Sequence, residues 1–218
     1  MGIKILIFIN KLIMYPISKL RNAKYYANHY FFKIQILIMT LNKKCLNVGC
    51  GHDVRIGWTN CDVSPINNKV VRFDISLHDD LLNLANQRWD IIECCHVIGY
   101  MNYICVLNFF KAAYDALNEG GILILEFPDL IKLSKKVLDI QPNQNVNDYI
   151  EVIRAIYAFD LSDAFDDKFS KKTYIFGWSA PLVTKALNEA GFLSVTLKDP
   201  KTHGKLIWRD SRIEAIKT

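Results

Sequence analysis

The chain has 218 residues, 51% of them hydrophobic, and a formal net charge of +5. The hydrophobic content excludes a disordered chain, and the length allows one domain of roughly 150–200 residues with an appendage. No window reaches roughly 18 uninterrupted apolar residues, so no segment is required to span a membrane. The six cysteines form no C-x-x-C pair, which predicts buried or half-buried thiols in a reducing cytoplasm.

The positive charge is concentrated at the amino end. Residues 1–44 carry eight basic and no acidic side chains, whereas the rest of the chain carries 19 basic and 22 acidic side chains, a net charge of −3. Because phosphate binding needs clustered lysine and arginine, we expect no nucleic-acid binding by the body of the protein. The charge therefore divides the chain into a basic arm, residues 1–43, and a main domain, residues 44–218.

The arm is apolar as well as basic. Its stretches 1–22 and 31–39 are dense in Ile, Leu, Phe and Met, and Pro16 is expected to interrupt any helix there. This pattern is typical of a basic amphipathic helical segment that lies on an anionic membrane surface. It predicts peripheral contact through residues 1–38, at the inner membrane face, for an otherwise cytoplasmic protein.

Two alternatives for the arm stay open. It could pack on its own domain or on a second subunit, and the sequence leaves the oligomeric state undecided. It could also be an upstream extension that is not normally translated, because Met39 would make a compact start just before the first strand. A secretory signal is not expected, since Asn10 and Lys11 interrupt the apolar run and no small-residue cleavage site follows.

From residue 44 onward, short apolar runs alternate with helical patterns. The runs predict strands at 45–48, 59–63, 70–74, 89–95, 122–127, 192–198 and 205–218. Helical spacing predicts helices at 79–86, 102–119 (ended by two glycines), 130–139, 146–159 and 179–192. Strands separated by helices pair in parallel, whereas the last two are expected to pair antiparallel. The fold class is therefore α/β, a doubly wound, mostly parallel seven-stranded Rossmann-like sheet with an antiparallel last strand.

A glycine turn, LNVGCG, follows the first predicted strand. In such a sheet, ligands bind at the carboxyl ends of the strands, and Gly49 and Gly51 lack the Cβ atoms that would keep a ligand from the backbone. Asp62, at the end of the second strand, can accept hydrogen bonds from a ribose diol. Asp74, at the end of the third, can accept from an exocyclic amine. Together these residues predict an adenosine pocket without a pyrophosphate.

Two competing interpretations are weaker. A dinucleotide fingerprint needs a third glycine where the chain has Val54, and an acid about twenty residues on, whereas Asp62 comes after only eleven. The glycines could also form a purely structural turn in an unrelated α/β protein.

Several segments, in order and at matching spacing, carry a resemblance to a known family. They are LNVGCG, GWTNCDVSP, FDISL, DIIECCHVIGYM, ALNEGGILILEFPDLIKL and the closing RDSRIEAIK. Over residues 44–218 the chain resembles class I S-adenosylmethionine-dependent methyltransferases, and is similar to predicted members associated with bacterial surface-polysaccharide biosynthesis. The resemblance implies a methyltransferase that uses S-adenosyl-L-methionine and acts on a small-molecule or glycan acceptor.

The resemblance also implies roles for individual residues. Gly49 and Gly51, with Cys50 between them, are expected to cradle the methionine part of the cofactor, and Asn47 stands where many relatives carry an acid. The ribose would be held by Asp62 and the adenine by Asp74 with Ile75, and His96 would line the methionine end. Relatives usually read H-V-L-E-H where this chain reads HVIGY, with Gly99-Tyr100 in place of the Glu-His pair. That departure makes a non-catalytic cofactor-binding or interaction module the alternative function.

Methyl transfer to a sugar hydroxyl needs a group that takes the proton. His203, on a loop before the last strand, and Asp129, after the fifth, are the candidate catalytic bases. A surface histidine and a helix N-cap are the respective alternatives. Tyr103, Tyr174 and Trp178 could stack on an acceptor or simply pack. The five scattered histidines predict no metal site.

Overall fold

A computed structural model describes residues 43–140, 145–158, 173–202 and 206–218. These residues belong to a compact unit that spans Asn42–Thr218. The predicted amphipathic arm up to residue 42 and the candidate base His203 lie outside the described residues. Within the described ranges, no helix has the length and apolar character needed to cross a membrane.

Seven strands form one sheet in the order β3-β2-β1-β4-β5-β7-β6. They are β1 Cys45–Val48, β2 Thr59–Asp62, β3 Val70–Arg72, β4 Trp89–Cys95, β5 Leu117–Pro128, β6 Ser194–Lys198 and β7 Asp210–Ile216. The first five pair in parallel, and β7 runs antiparallel to both β5 and β6. The predicted mixed sheet with an antiparallel last strand is confirmed.

The described residues also form five helices, each beginning within one residue of its predicted start. They are α1 His78–Ala85, α2 Tyr103–Ala116, α3 Leu130–Asp139, α4 Val146–Tyr157 and α5 Ala180–Glu189, with a single 3-10 turn at Ile98–Tyr100. Of these, α1, α2 and α5 contribute buried residues to the main core on the sheet, whereas α3 and α4 pack on each other around Leu133 and Val152.

Helix α2 shows why these elements form where they do. Asn102 caps it by accepting a hydrogen bond from the Cys105 amide at 2.9 Å, which satisfies one of the donors left open at a helix start. Val106, Phe109 and Phe110 recur at helical spacing and are fully buried, so this face holds the helix against the sheet.

The end of α2 differs from the prediction. The glycines at 120 and 121 were expected to stop a helix, but the helix ends at Ala116 and β5 already begins at Leu117. The amide of Gly120 donates to Lys217 and the Lys217 amide donates to Gly121, at 2.9 and 3.0 Å. Hydrogen bonds to the last strand therefore hold this segment in an extended conformation. The periodicity of the segment cannot predict this partner, because the partner is distant in sequence.

The antiparallel strand β7 brings its first residue to the functional edge of the sheet. Asp210 at the start of β7 pairs with Pro128 at the end of β5. The amino end of β7 thus lies at the edge where the parallel strands have their carboxyl ends, which is where ligands bind in open α/β sheets.

We expect the core around α2 to dominate stability. Replacing Phe109, which is 0% exposed, by alanine should lower the free energy of unfolding by about 3–5 kcal/mol, because the cavity cannot fully collapse. The control Leu193→Ala, at a side chain that is 82% exposed, should change it by less than about 0.5 kcal/mol. Urea unfolding of both variants would measure the difference, and equal losses would contradict this account of the core.

Candidate functional site

The loop after β1 bends through two glycines in the left-handed region. Gly49 has φ +65° and Gly51 has φ +47°, a conformation that side chains with a Cβ atom rarely adopt. A Cβ atom on Gly49 would also collide with the side chain of Val97, whereas one on Gly51 would meet nothing within 4 Å. Gly49 therefore lets the loop approach the end of β4, and the backbone at Gly51 faces open space.

Asp62, at the end of β2, holds this loop. Its Oδ2 accepts from the Gly51 amide and its Oδ1 from the Ser64 amide, both at 2.9 Å. The side chain is half-buried. Since each carboxylate oxygen can accept two hydrogen bonds, Asp62 retains one acceptor position on each oxygen for a ligand such as a diol.

Asp74, after β3, organises a turn. Its Oδ1 accepts from both the amide and the hydroxyl of Ser76, at 3.0 and 2.6 Å, while its own amide donates to Asp80 at 2.7 Å. Ile75 beside it is buried. Both residues lie at the edge of the sheet where β1 and β2 also end, and their contact with adenine stays a prediction.

Asn47, in β1, and Cys50, in the loop after it, are both buried. The Asn47 amide donates to the Asp53 carbonyl at 2.8 Å and to Oδ1 of Asn60 at 3.2 Å. The Cys50 side chain is buried, and burial raises the pKa of its thiol. These contacts shape the loop that would receive the cofactor, and a direct contact with the ligand stays a prediction for both residues.

A buried ion pair beneath the loop was not found by sequence reasoning. Two guanidinium nitrogens of Arg55 donate to the two carboxylate oxygens of Glu93 at 2.7 and 2.9 Å. Both side chains are less than a tenth exposed. Burial alone raises the pKa of Glu93, but the adjacent Arg55 outweighs it and lowers that pKa below its ordinary range. The one signal in the sequence was a charged residue inside the apolar run WDIIECC.

This ion pair also accounts for Asn47. In the register of β1 and β4, Asn47 is the partner of Glu93. A carboxylate at position 47 would stand beside that of Glu93, and neighbouring like charges are unfavourable at such a distance. The amide supplies the hydrogen bonds without adding a second negative charge.

His96 follows β4 and has an unusual backbone. It is one of two non-glycine residues with positive φ, here +57°, in the described part of the chain. Its amide donates to the Glu126 carbonyl at 2.7 Å. Its Nε2 lies 3.4 Å from Oδ2 of Asp210, which is fully buried. The resemblance assigns His96 to the methionine end of the cofactor, and this stays a prediction.

A small, partly open cleft of about 20 Å³, with room for about one water molecule, lies at the carboxyl ends of β4 and β5. Its apolar wall is formed by Phe127, Leu130, Leu133, Ile156, Phe176 and Trp178, and its polar corner by His96 and Tyr174. Of the three aromatic candidates, Tyr174 and Trp178 therefore line the cleft. Tyr103 instead stacks on Trp178 and donates to Glu189 at 2.8 Å.

Asp129 is buried, and its carboxylate accepts three hydrogen bonds. Its Oδ1 accepts from the Ile131 amide at 2.9 Å, which caps α3, and its Oδ2 accepts from the Ala180 amide at 3.1 Å and the Ser211 hydroxyl at 2.7 Å. The N-cap interpretation thus describes its contacts, and its role as a base stays a prediction. His203, the other candidate, is outside the described residues.

Three potential metal ligands lie together, a grouping that sequence spacing did not indicate. Donor atoms of His96, Glu126 and Asp210 are all within 4.8 Å of one another. Each carboxylate already faces a guanidinium, Arg212 beside Glu126 and Arg209 beside Asp210. A metal ion would compete with these cations for the same oxygens.

Comparisons with known proteins establish the fold. No protein-family model and no curated protein sequence matches the chain. A SAM-dependent methyltransferase from Archaeoglobus fulgidus has a TM-score of 0.53 at 13% identity, covering 92% of this chain and 97% of its own. A SAM-dependent methyltransferase from Thermotoga maritima has 0.53 at 15%, covering 89% and 93%. The glycopeptide N-methyltransferase MtfA, solved with S-adenosylmethionine, has 0.52 at 10%, covering 86% of each chain. The chain therefore has the Rossmann-like fold that these methyltransferases share.

The buried ion pair yields a stability prediction. Glu93→Gln leaves Arg55 paired only with the half-exposed Asp53, so the free energy of unfolding at pH 7 should fall by about 3 kcal/mol. The control Arg72→Gln, at an exposed side chain 3.9 Å from Asp80, should change it by less than about 1 kcal/mol.

The same pair has a defined pH dependence. Because the pKa of Glu93 is lowered on folding, its contribution is present above its ordinary pKa and is lost as pH falls through the lowered value. The stability difference between wild type and Glu93→Gln should therefore shrink in acid. A difference that grows below pH 4 in urea unfolding would contradict the assigned direction.

Proposed function

We propose that this protein is an S-adenosylmethionine-dependent methyltransferase that O-methylates a sugar or glycan-lipid acceptor. One observation carries the proposal: the carboxylate at the end of β2, Asp62, holds the left-handed Gly51 of the loop after β1. The Asp62 carboxylate and the Gly51 backbone therefore lie side by side at the carboxyl ends of the strands, in a fold shared with methyltransferases.

The residues present fit a nucleoside with an amino-acid tail. Asp62 retains acceptor positions for the ribose hydroxyls, and the backbone at Gly51 borders open space in which the methionine part could lie. Asp74 with Ile75 would receive the adenine, and His96 the methionine end. When bound, S-adenosyl-L-methionine supplies a methyl group already activated on a sulfonium, so the protein chiefly positions the acceptor and takes up its proton.

A local contact weakens the support for the non-catalytic alternative. The Gly99-Tyr100 departure from the family pattern was its main support. In the structure, a Cβ atom on Gly99 would lie 2.6 Å from Cδ1 of Tyr174. Gly99 therefore makes room for an aromatic side chain that lines the cleft, so a changed acceptor side explains the departure as well as a lost activity does.

The ribose assignment predicts a binding defect. S-adenosylmethionine should bind with micromolar affinity in calorimetric titration. Asp62→Asn should weaken binding roughly 10–100-fold, because hydrogen bonds to a charged group contribute about 1.5–3 kcal/mol. The control Asp115→Asn, on the exposed side of α2, should bind like wild type. Undiminished binding by a folded Asp62→Asn variant would remove the ribose assignment.

The arm predicts membrane association as a separate property. Its seven basic residues and apolar stretches should make the protein sediment with anionic vesicles but not with neutral vesicles. Deletion of residues 1–38 should abolish this sedimentation. Equal sedimentation of the full-length and shortened proteins would leave the arm without a membrane role.

A further inference from the structure

Residues 174–178, which we call the strap, cross the carboxyl end of β4 and belong to neither a helix nor a strand. The last residue of the strap is firmly held. Trp178 is 2% exposed, its indole nitrogen donates to the Ile98 carbonyl at 2.9 Å, and its carbonyl accepts from the Leu130 amide at 2.7 Å. The strap is therefore fixed at Trp178.

The rest of the strap lies at the surface. Ile175 is 65% exposed, and the side chains of Tyr174 and Phe176 are half-buried. The amides of Ile175 and Phe176 share one acceptor, the Gly99 carbonyl, at 2.8 and 3.2 Å. Surface segments outside regular structure, with few buried apolar contacts, are the parts of a protein that open at low free energy. We therefore expect this part of the strap to open without unfolding of the domain.

The side chain of Tyr174 covers the turn after β4. A Cβ atom on Gly99 would lie 2.6 Å from the Tyr174 ring, and this ring meets that of Tyr100 edge-on, with centroids 4.6 Å apart. The Tyr174 hydroxyl donates to the His96 carbonyl at 3.3 Å, which is long for a hydroxyl donor. With Tyr174 in this position, the cleft that it lines has about 20 Å³, room for about one water molecule. Tyr174 therefore closes this part of the edge, and the missing Cβ atom of Gly99 permits it.

The closed cleft lies where the proposed reaction needs its acceptor. Asp62 and Asp74 follow β2 and β3, and β4 and β5 lie on the other side of β1 in the sheet. The side chain of Val97, just after β4, lies against Gly49 of the glycine loop. With a cofactor held by the loop and the two carboxylates, the edge that remains for an acceptor is at β4 and β5. This is the edge that Tyr174 covers.

We propose that the strap is a gate on the acceptor side of the site. It is closed in this structure, and it has to turn outward about Trp178, withdrawing Tyr174 from Gly99, before an acceptor can bind. This inference rests on the proposed function, because methyl transfer requires an acceptor at this edge. The apparent affinity for the acceptor is then lowered in proportion to the open fraction, so a change that favours the open state should strengthen binding of the acceptor.

The first test measures opening without a cofactor. In amide hydrogen exchange followed by NMR, Ile175 and Phe176 should exchange at least about 100-fold faster than the fully buried Leu187 of α5, after correction for intrinsic rates. Low urea concentrations should accelerate Leu187 only, because local opening exposes little surface. Strap amides that exchange at the rate of Leu187, with the same urea dependence, would overturn the gate.

A substitution at Gly99 should shift the strap toward the open state. In Gly99→Ala, the added Cβ atom competes with the Tyr174 ring for the same space. Exchange at Ile175 should therefore rise a further 10-fold or so, roughly, while exchange at Leu187 stays the same. In a Tyr174→Ala background, the same substitution should leave Ile175 unchanged, because the ring that it displaces is absent. An unchanged Ile175 rate in Gly99→Ala alone would contradict the closing contact.

The second test uses methyl transfer. Tyr174→Ala should bind S-adenosylmethionine within about twofold of wild type in calorimetric titration, and it should need at least about threefold less cell-envelope extract for half-maximal transfer of labelled methyl groups. The control Tyr149→Ala, at a tyrosine of α4 that is 39% exposed, should behave like wild type. An equal or larger requirement for extract in Tyr174→Ala would overturn the gate.

The outcomes separate this inference from the proposed function. If wild type binds no S-adenosylmethionine, the proposed function fails, and the acceptor role of the strap fails with it even where the strap opens. If wild type binds S-adenosylmethionine, the exchange and transfer experiments decide the gate alone. Binding without transfer by either wild type or Tyr174→Ala would overturn the gate and leave cofactor binding intact.

Discussion

The ion pair between Arg55 and Glu93 is the contact on which the position of the loop after β1 depends. It joins the loop after β1 to the middle of β4 through two hydrogen bonds between side chains that are less than a tenth exposed. The loop it anchors carries both left-handed glycines and receives the Asp62 carboxylate. A buried pair of this kind contributes little net stability compared with apolar packing, but it is costly to break. Its effect is to hold one loop conformation.

The antiparallel last strand gives the same edge its second polar group. Because β7 runs against β5, its first residues meet the carboxyl ends of β4 and β5. Asp210 there reaches His96, and Ser211 reaches Asp129. The two buried carboxylates have different surroundings. Asp129 caps α3 and joins it to α5, whereas Asp210 faces an imidazole at the wall of a cleft.

The residues predicted to bind the cofactor are close together in sequence, whereas those around the cleft are not. Gly49, Gly51 and Asp62 lie within fourteen residues, in a loop and the strand after it. Their spacing along the chain is therefore enough to predict that they lie close together. Tyr174, Gly99 and Asp210 are far apart in sequence, and only the tertiary structure brings Tyr174 against Gly99 and Asp210 close to His96. The cleft that Gly99 and Tyr174 line therefore has no local pattern in the sequence.

By itself, the sequence determined the alternation of strands and helices, the start of each helix and the glycine turn with its acid. These features depend on periodicity, capping and backbone sterics, which act over a few residues. Tertiary structure decided where β5 begins, that β7 lies between β5 and β6, and which charged groups pair beneath the loop. Strand insertion and buried ion pairs depend on contacts between residues that are distant in sequence. Their free energies depend on burial in the folded protein, which a local sequence pattern cannot predict.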